Sequence, residues 1–169
     1  MVAAQSEDSV SLPEFTDPPR LLVVVAPFVK SITDLLVSGA CARIQHIGGT
    51  GSTIEVPGAL EIAPAIRFAA NTDKFDGFVA LGCVMRGDTT HYETVCQESA
   101  RGLTLLGLSG LCIGNGILTV ENMEQAVVRA DPEQQDKGGG AVAAAMHLVA
   151  LSRKFGSSAG SVGFELMNG

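Results

Sequence analysis

The residues best placed to do chemistry lie in one short stretch, GCVMRGDTTHYE (Gly82–Glu93). An apolar run ends at Gly82, and Arg86, Gly87, Asp88, Thr89, Thr90 and His91 lead into a helix. The first backbone N–H groups of a helix have no intrahelical partners and carry the positive end of its dipole. With two threonine hydroxyls and an arginine, they make a site for an anion such as a phosphate group. An imidazole in that position can give or take a proton near neutral pH. The same residues also fit an ordinary helix start, with Asp88 or Thr89 as cap and His91 in solvent. Asp88, moreover, brings a charge of the wrong sign for phosphate.

Other candidates stand at comparable positions. In VPGALE (Val56–Glu61) a glutamate falls in the first turn of a helix at a strand's carboxyl end. There it favours the helix dipole, and it could equally hold substrate hydroxyls. Phe28 directly follows the first strand, where a ring can stack on a flat ligand or join the core. Arg129 ends a short helix and Lys137 follows an acidic loop; both also suit solvated charges. His46 and His147 read as structural, His147 within an Ala-rich helix. The glycine runs GGTGS (Gly48–Ser52) and GNG (Gly114–Gly116) are not a dinucleotide fingerprint, because no G-x-G-x-x-G opens a helix after a strand. No P-loop, metal-ligand cluster or nucleophile elbow is present.

The elements that must hold these residues follow from the hydrophobic pattern. LLVVVA (Leu21–Ala26) is the continuous apolar run of a strand buried on both faces. Ile32, Leu35, Leu36, Ala40 and Ile44 recur at helical spacing across Ser31–Ile44. The turn Gly48–Gly51 leads to a short strand, Ser52–Val56, and Pro57 opens a helix to about Asn71. Gly77–Gly82 is a third strand, ahead of the loop 85–91 and a helix to about Leu106. Leu111–Gly114 is the fourth, followed by a loop at 115–119, with Thr119 as N-cap of a helix ending near Ala130. A last helix spans Gly138–Phe155. This alternation predicts a three-layer α/β sandwich: a four-stranded parallel sheet with helices on both faces and right-handed crossovers. Ligands then bind beyond the carboxyl ends of the strands. The loops at Pro27–Phe28, Pro57–Glu61, Cys83–His91 and Asn115–Thr119 should therefore meet at one edge. The expected organisation is an extended arm at 1–20, one domain at 21–155 and a flexible tail at 156–169.

Composition narrows the function. The 169-residue chain carries a net charge of −7 with eleven Lys and Arg and no basic run. Charge-driven nucleic-acid binding needs several such residues on one face and is excluded as a class. A hydrophobic share of 46% supports a buried core, while aromatics make up only 5%. Abundant Ala and Gly allow helices to approach closely, within or between subunits, which favours an oligomer. Cys41, Cys83, Cys96 and Cys112 form no C-x-x-C pair and read as reduced thiols. No apolar run reaches the roughly 18–20 residues of a membrane span, and MVAAQSEDSVSLPEF lacks the regions of a signal peptide. The expectation is a cytoplasmic protein with no membrane partner.

Taken in order, the segments resemble the 6,7-dimethyl-8-ribityllumazine synthase family. The resemblance rests on the strand ending Ala26-Pro27-Phe28, VPGALEI (Val56–Ile62), GCVMRGDTTHYE (Gly82–Glu93), NGILTVENMEQAVVRA (Asn115–Ala130) and DKGGGAVAAA (Asp136–Ala145). It covers about residues 20–155. It implies flavodoxin-like strand order and a transferase of riboflavin biosynthesis. The family condenses 5-amino-6-(D-ribitylamino)uracil with 3,4-dihydroxy-2-butanone 4-phosphate. The carry-over implies that Phe28 stacks on the pyrimidine, that Ala59 and Glu61 hold the ribityl chain, and that the Val84–Met85 backbone meets the ring edge. Gly87, Asp88 and Thr89 would cradle the phosphate, with Arg129 reaching in from across a subunit boundary. Lys137 would lie beside the pyrimidine carbonyl, and His91 would shuttle protons. Gly58, Leu60, Cys83 and Asn115 complete the implied substrate-binding set. No cofactor and no metal is implied, and much of the catalysis would be substrate positioning.

The implied assembly is a homopentamer, in some members built into a sixty-chain capsid, with association with riboflavin synthase as a further partner. Three departures stand out against the family pattern. Pro27 replaces an Arg before the Phe, Asn115 stands where some members have a second aromatic, and Gly139 and Gly140 replace acidic or polar residues. Two rival readings are a non-catalytic flavin- or lumazine-binding protein on the same scaffold and an unrelated nucleotide-binding α/β domain. The joint presence of His91, Arg129 and Lys137 argues against the first, and the missing glycine fingerprint against the second. A structural shell protein would add to catalysis instead of competing with it.

Overall fold

The computed structural model describes residues 10–156, so residues 1–9 of the expected arm and 157–169 of the expected tail lie outside the described residues. The chain alternates in the order β1 (Arg20–Ala26), α1 (Lys30–His46), β2 (Thr50–Glu55), α2 (Ala59–Ala70), β3 (Gly77–Met85), α3 (His91–Leu108), β4 (Ile113–Val120), α4 (Met123–Ala130) and α5 (Lys137–Gly156). All strand pairs are parallel and the order across the sheet is β2-β1-β3-β4. This is the three-layer α/β sandwich that the alternation predicts, with the flavodoxin-like order that the family resemblance implies.

The unbroken apolar run of β1 has a simple cause: helices cover both of its faces. Leu21, Val23 and Val25 point to one side, with Val79, Leu81, Leu118 and Val120, against Leu36 and Ala40 of α1 and Val142 and Met146 of α5. Leu22, Val24 and Ala26 point to the other, with Phe78 and Ala80, against Ile62 and Ile66 of α2 and Leu103 of α3. Helices α1, α4 and α5 therefore form one outer layer, and α2 and α3 the other. Among the described residues, no helix is long and apolar enough to cross a membrane.

The largest difference from the expected elements is at β4. Residues Asn115–Thr119 are not a loop; they are the middle of a strand that alternates buried and open positions to Val120. Gly114 and Gly116 are there because α5 lies almost against the strand. A Cβ on Gly114 would stand 1.8 Å from the carbonyl oxygen of Ala141. The same constraint recurs at Gly138, where a Cβ would come within 2.0 Å of the Leu36 carbonyl oxygen of α1. Thr119, as a strand residue, caps nothing. The N-cap of α4 is Asn122, whose side chain accepts a bond from the Gln125 amide. Helix α2 likewise begins later than expected, at Ala59, after an extended Gly58.

Residues 10–19 run along their own chain. Phe15 packs on the core beside α5, the Arg153 guanidinium sits 5.4 Å from its ring centre, and Arg153 donates to the Asp17 carbonyl at 2.6 Å. At this end of the sheet Asp76, just before β3, accepts from the Arg20 amide at 2.7 Å and from Arg20 Nε at 3.0 Å. These bonds, chiefly the Arg20 side-chain bond, hold the Asp76 carboxyl below its usual range. A depressed carboxyl stabilises the fold above its unfolded-state pKa, and that contribution disappears as pH falls through the native value. With Arg20 half exposed, Asp76→Asn should cost about 1 kcal/mol at neutral pH in urea titrations. The difference from wild type should start to shrink as pH falls towards about 3.9, where an unfolded aspartate titrates, and vanish once pH is below the lower native value.

Candidate functional site

At the carboxyl ends of β1, β2 and β3 the chain opens into a cleft of about 500 Å³. Each strand contributes through the segment that follows it. After β1 come Phe28 and Val29; after β2, Pro57, Gly58, Ala59, Leu60 and Glu61. From β3 onward come Cys83, Val84, Met85, Gly87, Thr89, His91, Tyr92 and Val95. Phe28 is 85% exposed, an aromatic ring at the rim of the cleft that is open to a flat partner. The Glu61 carboxylate folds back over Gly58, where a Cβ would stand 2.9 Å from its Oε2. Pro64, inside α2, has no N–H and so removes a bond that the Leu60 carbonyl would otherwise accept. Both groups give the α2 side of the cleft hydrogen-bond acceptors.

The α3 side offers donors. Helix α3 starts at His91 after Thr90, and no side chain caps it. The His91 amide has only a long side-chain contact, to Thr89 Oγ1 at 3.4 Å, among the described residues. His91 and Tyr92 of this first turn line the cleft, so the helix start lies at its edge, where an anion can be held. Neither Asp88 nor Thr89 acts as the cap. Arg86, an element of the sequence-based anion site, does not line the cleft. Its guanidinium is engaged by Glu93 and Glu121 instead.

The cleft's chemistry is that of a neutral-to-acidic pocket. Burial pushes the Cys83 thiol up, so it stays protonated and serves as wall, not nucleophile. Glu61 and His91 are the ionisable side chains best placed to exchange protons or hold hydroxyls. No Lys or Arg is among the residues that line it. Among the described residues, no group of three or more His, Cys, Asp and Glu gathers to hold a metal ion.

Comparison with known proteins decides the family. The model of the 6,7-dimethyl-8-ribityllumazine synthase family matches residues 18–153. The chain belongs to the 6,7-dimethyl-8-ribityllumazine synthase family. Curated relatives agree over nearly their whole lengths. The 6,7-dimethyl-8-ribityllumazine synthase of Jannaschia sp. (strain CCS1) is 46% identical over 97% of this chain and 92% of its own. That of Erythrobacter litoralis is 51% identical over 82% of this chain and 99% of its own. That of Zymomonas mobilis is 52% identical over 80% of this chain and 97% of its own.

In this lumazine synthase fold the cleft gathers Phe28, Gly58, Ala59, Leu60, Glu61, Cys83, Val84, Met85, Thr89 and His91, and leaves four expected site residues outside its lining. Asp88 is exposed on the turn beside it. Asn115 sits mid-strand in β4, where its Oδ1 accepts from the Ile117 amide at 3.0 Å. Arg129 ends α4 in the opposite layer, donating to the Gln125 carbonyl at 3.0 Å. Lys137 opens α5, exposed, next to Asp136, whose φ of 42° is left-handed. The fourth expected loop therefore does not join the other three. Conversely, Val29, Pro57, Tyr92 and Val95 line the cleft without having been singled out. For Val95 the signal was present, since it follows His91 at i+4 and so shares its helix face.

Proposed function

We propose that the chain condenses 5-amino-6-(D-ribitylamino)uracil with 3,4-dihydroxy-2-butanone 4-phosphate, giving 6,7-dimethyl-8-ribityllumazine, phosphate and water. This is the penultimate step of riboflavin biosynthesis, and the enzyme is a transferase. The exposed Phe28 ring supports stacking of the pyrimidine, and the acceptors on the α2 side, Glu61 above all, suit the ribityl hydroxyls. The uncapped start of α3 with Gly87 and Thr89 suits the phosphate. His91 opens that helix and lines the same cleft. It is placed to move protons as the imine forms, phosphate leaves and the ring closes.

One observation carries the further reading that the working site spans two subunits: the cleft that must bind a phosphate ester is lined by no Lys or Arg. Amides alone make a weak site for a dianion, and a negatively charged chain needs a local cation. Arg129 and Lys137 are such cations, held on the opposite layer of the fold, where they can reach a neighbour's cleft but not their own. A homopentamer supplies this arrangement around a ring. Further assembly into a capsid, association with riboflavin synthase and a cytoplasmic location accord with this reading.

Mixing the purified protein with both substrates should produce lumazine fluorescence. No product from folded, assembled protein would sink the catalytic reading. The non-catalytic binding alternative has no support among the relatives, which are named as synthases.

A further inference from the structure

Arg86 ties together three elements at the edge of the cleft. It follows β3 directly, and its amide extends the ladder to the Val120 carbonyl of β4 at 2.9 Å. Its Nε donates to Glu121, just after β4, at 2.6 Å, and its Nη1 donates to Glu93 in the first turn of α3. The guanidinium also lies over the Tyr92 ring, 4.3 Å from its centre, within reach of a cation–π attraction. The Glu93 carboxylate also draws on its own backbone N–H, while its Oε2 is buried without a partner. The pairing with Arg86 is the first cause that holds the Glu93 carboxyl below its usual range.

The segment between these anchors, Gly87–Thr90, has little of its own to hold it. Its bonds into α3 are long: the His91 amide to Thr89 Oγ1, and the Thr94 amide to the Thr90 carbonyl, both 3.4 Å. At Gly87 a side chain would meet nothing within 4 Å. The turn is therefore closed by a clamp, with Arg86 at one end and Tyr92 and Glu93 at the other.

We propose that Arg86 is a positioning residue: by joining Glu93 and Glu121 it fixes the Gly87–Thr90 turn so that the α3 amides and His91 face the cleft. The proposal rests on reading that turn as the phosphate site. The three charges are partly solvated, so the role of the clamp lies in geometry more than in fold stability.

Geometry and charge make opposite predictions here. The clamp has one positive and two negative groups, so on charge alone removing Glu93 should tighten phosphate binding. Positioning demands the reverse.

The test uses inorganic phosphate, measured by calorimetry, and steady-state kinetics with each substrate varied. Arg86→Gln and Glu93→Ala should each weaken phosphate, and raise the KM for the butanone phosphate, about tenfold, the scale of a small misplacement. The KM for the pyrimidine should move less than about twofold, a split that general loosening of the fold would not produce. The double variant should be no worse than about twofold beyond either single, because both cut one link. Arg86→Lys should recover part of the loss, keeping the charge but not the fork.

Tighter phosphate binding in Glu93→Ala, multiplied losses in the double variant, or wild-type protein that ignores phosphate would each overturn the proposal. Wild-type protein that makes no lumazine, with phosphate affinities still shifting as expected, would remove the catalytic reading and leave the clamp standing.

Discussion

Replacing His91 with alanine should slow turnover by roughly 10–10⁴-fold, the range for loss of a general acid–base group with some rescue by water. His91 is the one histidine that lines the cleft, and it is held at the first position of α3. The other described histidines lie elsewhere, His46 at the end of α1 and His147 within α5. Because His91 is exposed and outside both core clusters, the variant should fold and assemble as wild type does. Circular dichroism and native mass would show this. Kinetics then separate the roles: a fall in kcat with little change in either KM marks a group needed in the transition state. Near wild-type turnover in a folded variant would remove His91 from the mechanism.

Arg129→Ala should reduce turnover by about 10²–10³-fold, the scale for removing one charge-stabilising donor, although Arg129 touches no part of its own chain's cleft. The stronger form of this expectation is complementation. A Phe28→Ala, Glu61→Ala double variant lacks the rim ring and the carboxylate; the Arg129→Ala variant lacks the cation. Each alone should be nearly inactive. After dissociation and joint reassembly in equal amounts, about one quarter of the interfaces in a ring pair an intact cleft with an intact Arg129. Activity should return to that fraction of wild type. Rings shown by mass to be mixed, yet still inactive, would mean that each subunit builds its site alone.

The amino-acid order by itself determined the class of the fold. Strands buried on both faces must be apolar at every position, as in Leu21–Ala26, and surface helices must repeat their apolar residues near every third or fourth position. Those two periods, read in turn, yield the β-α alternation and hence a parallel sheet. The motif GCVMRGDTTHYE was visible for the same local reason, since a strand end, a turn and a helix start are adjacent in sequence.

What only the tertiary structure decided depends on contacts between distant residues. Residues 115–119 read as a loop until α5 is placed against β4, where a side chain at Gly114 would meet the backbone of Ala141. Arg86 reads as a phosphate ligand until Glu121, thirty-five residues later, is brought beside it and draws the guanidinium away from the cleft. The absence of any Lys or Arg from the cleft lining is a property of three loops and a helix start taken together. No local pattern carries it, because which charges share a pocket is set by packing of the layers and not by spacing along the chain.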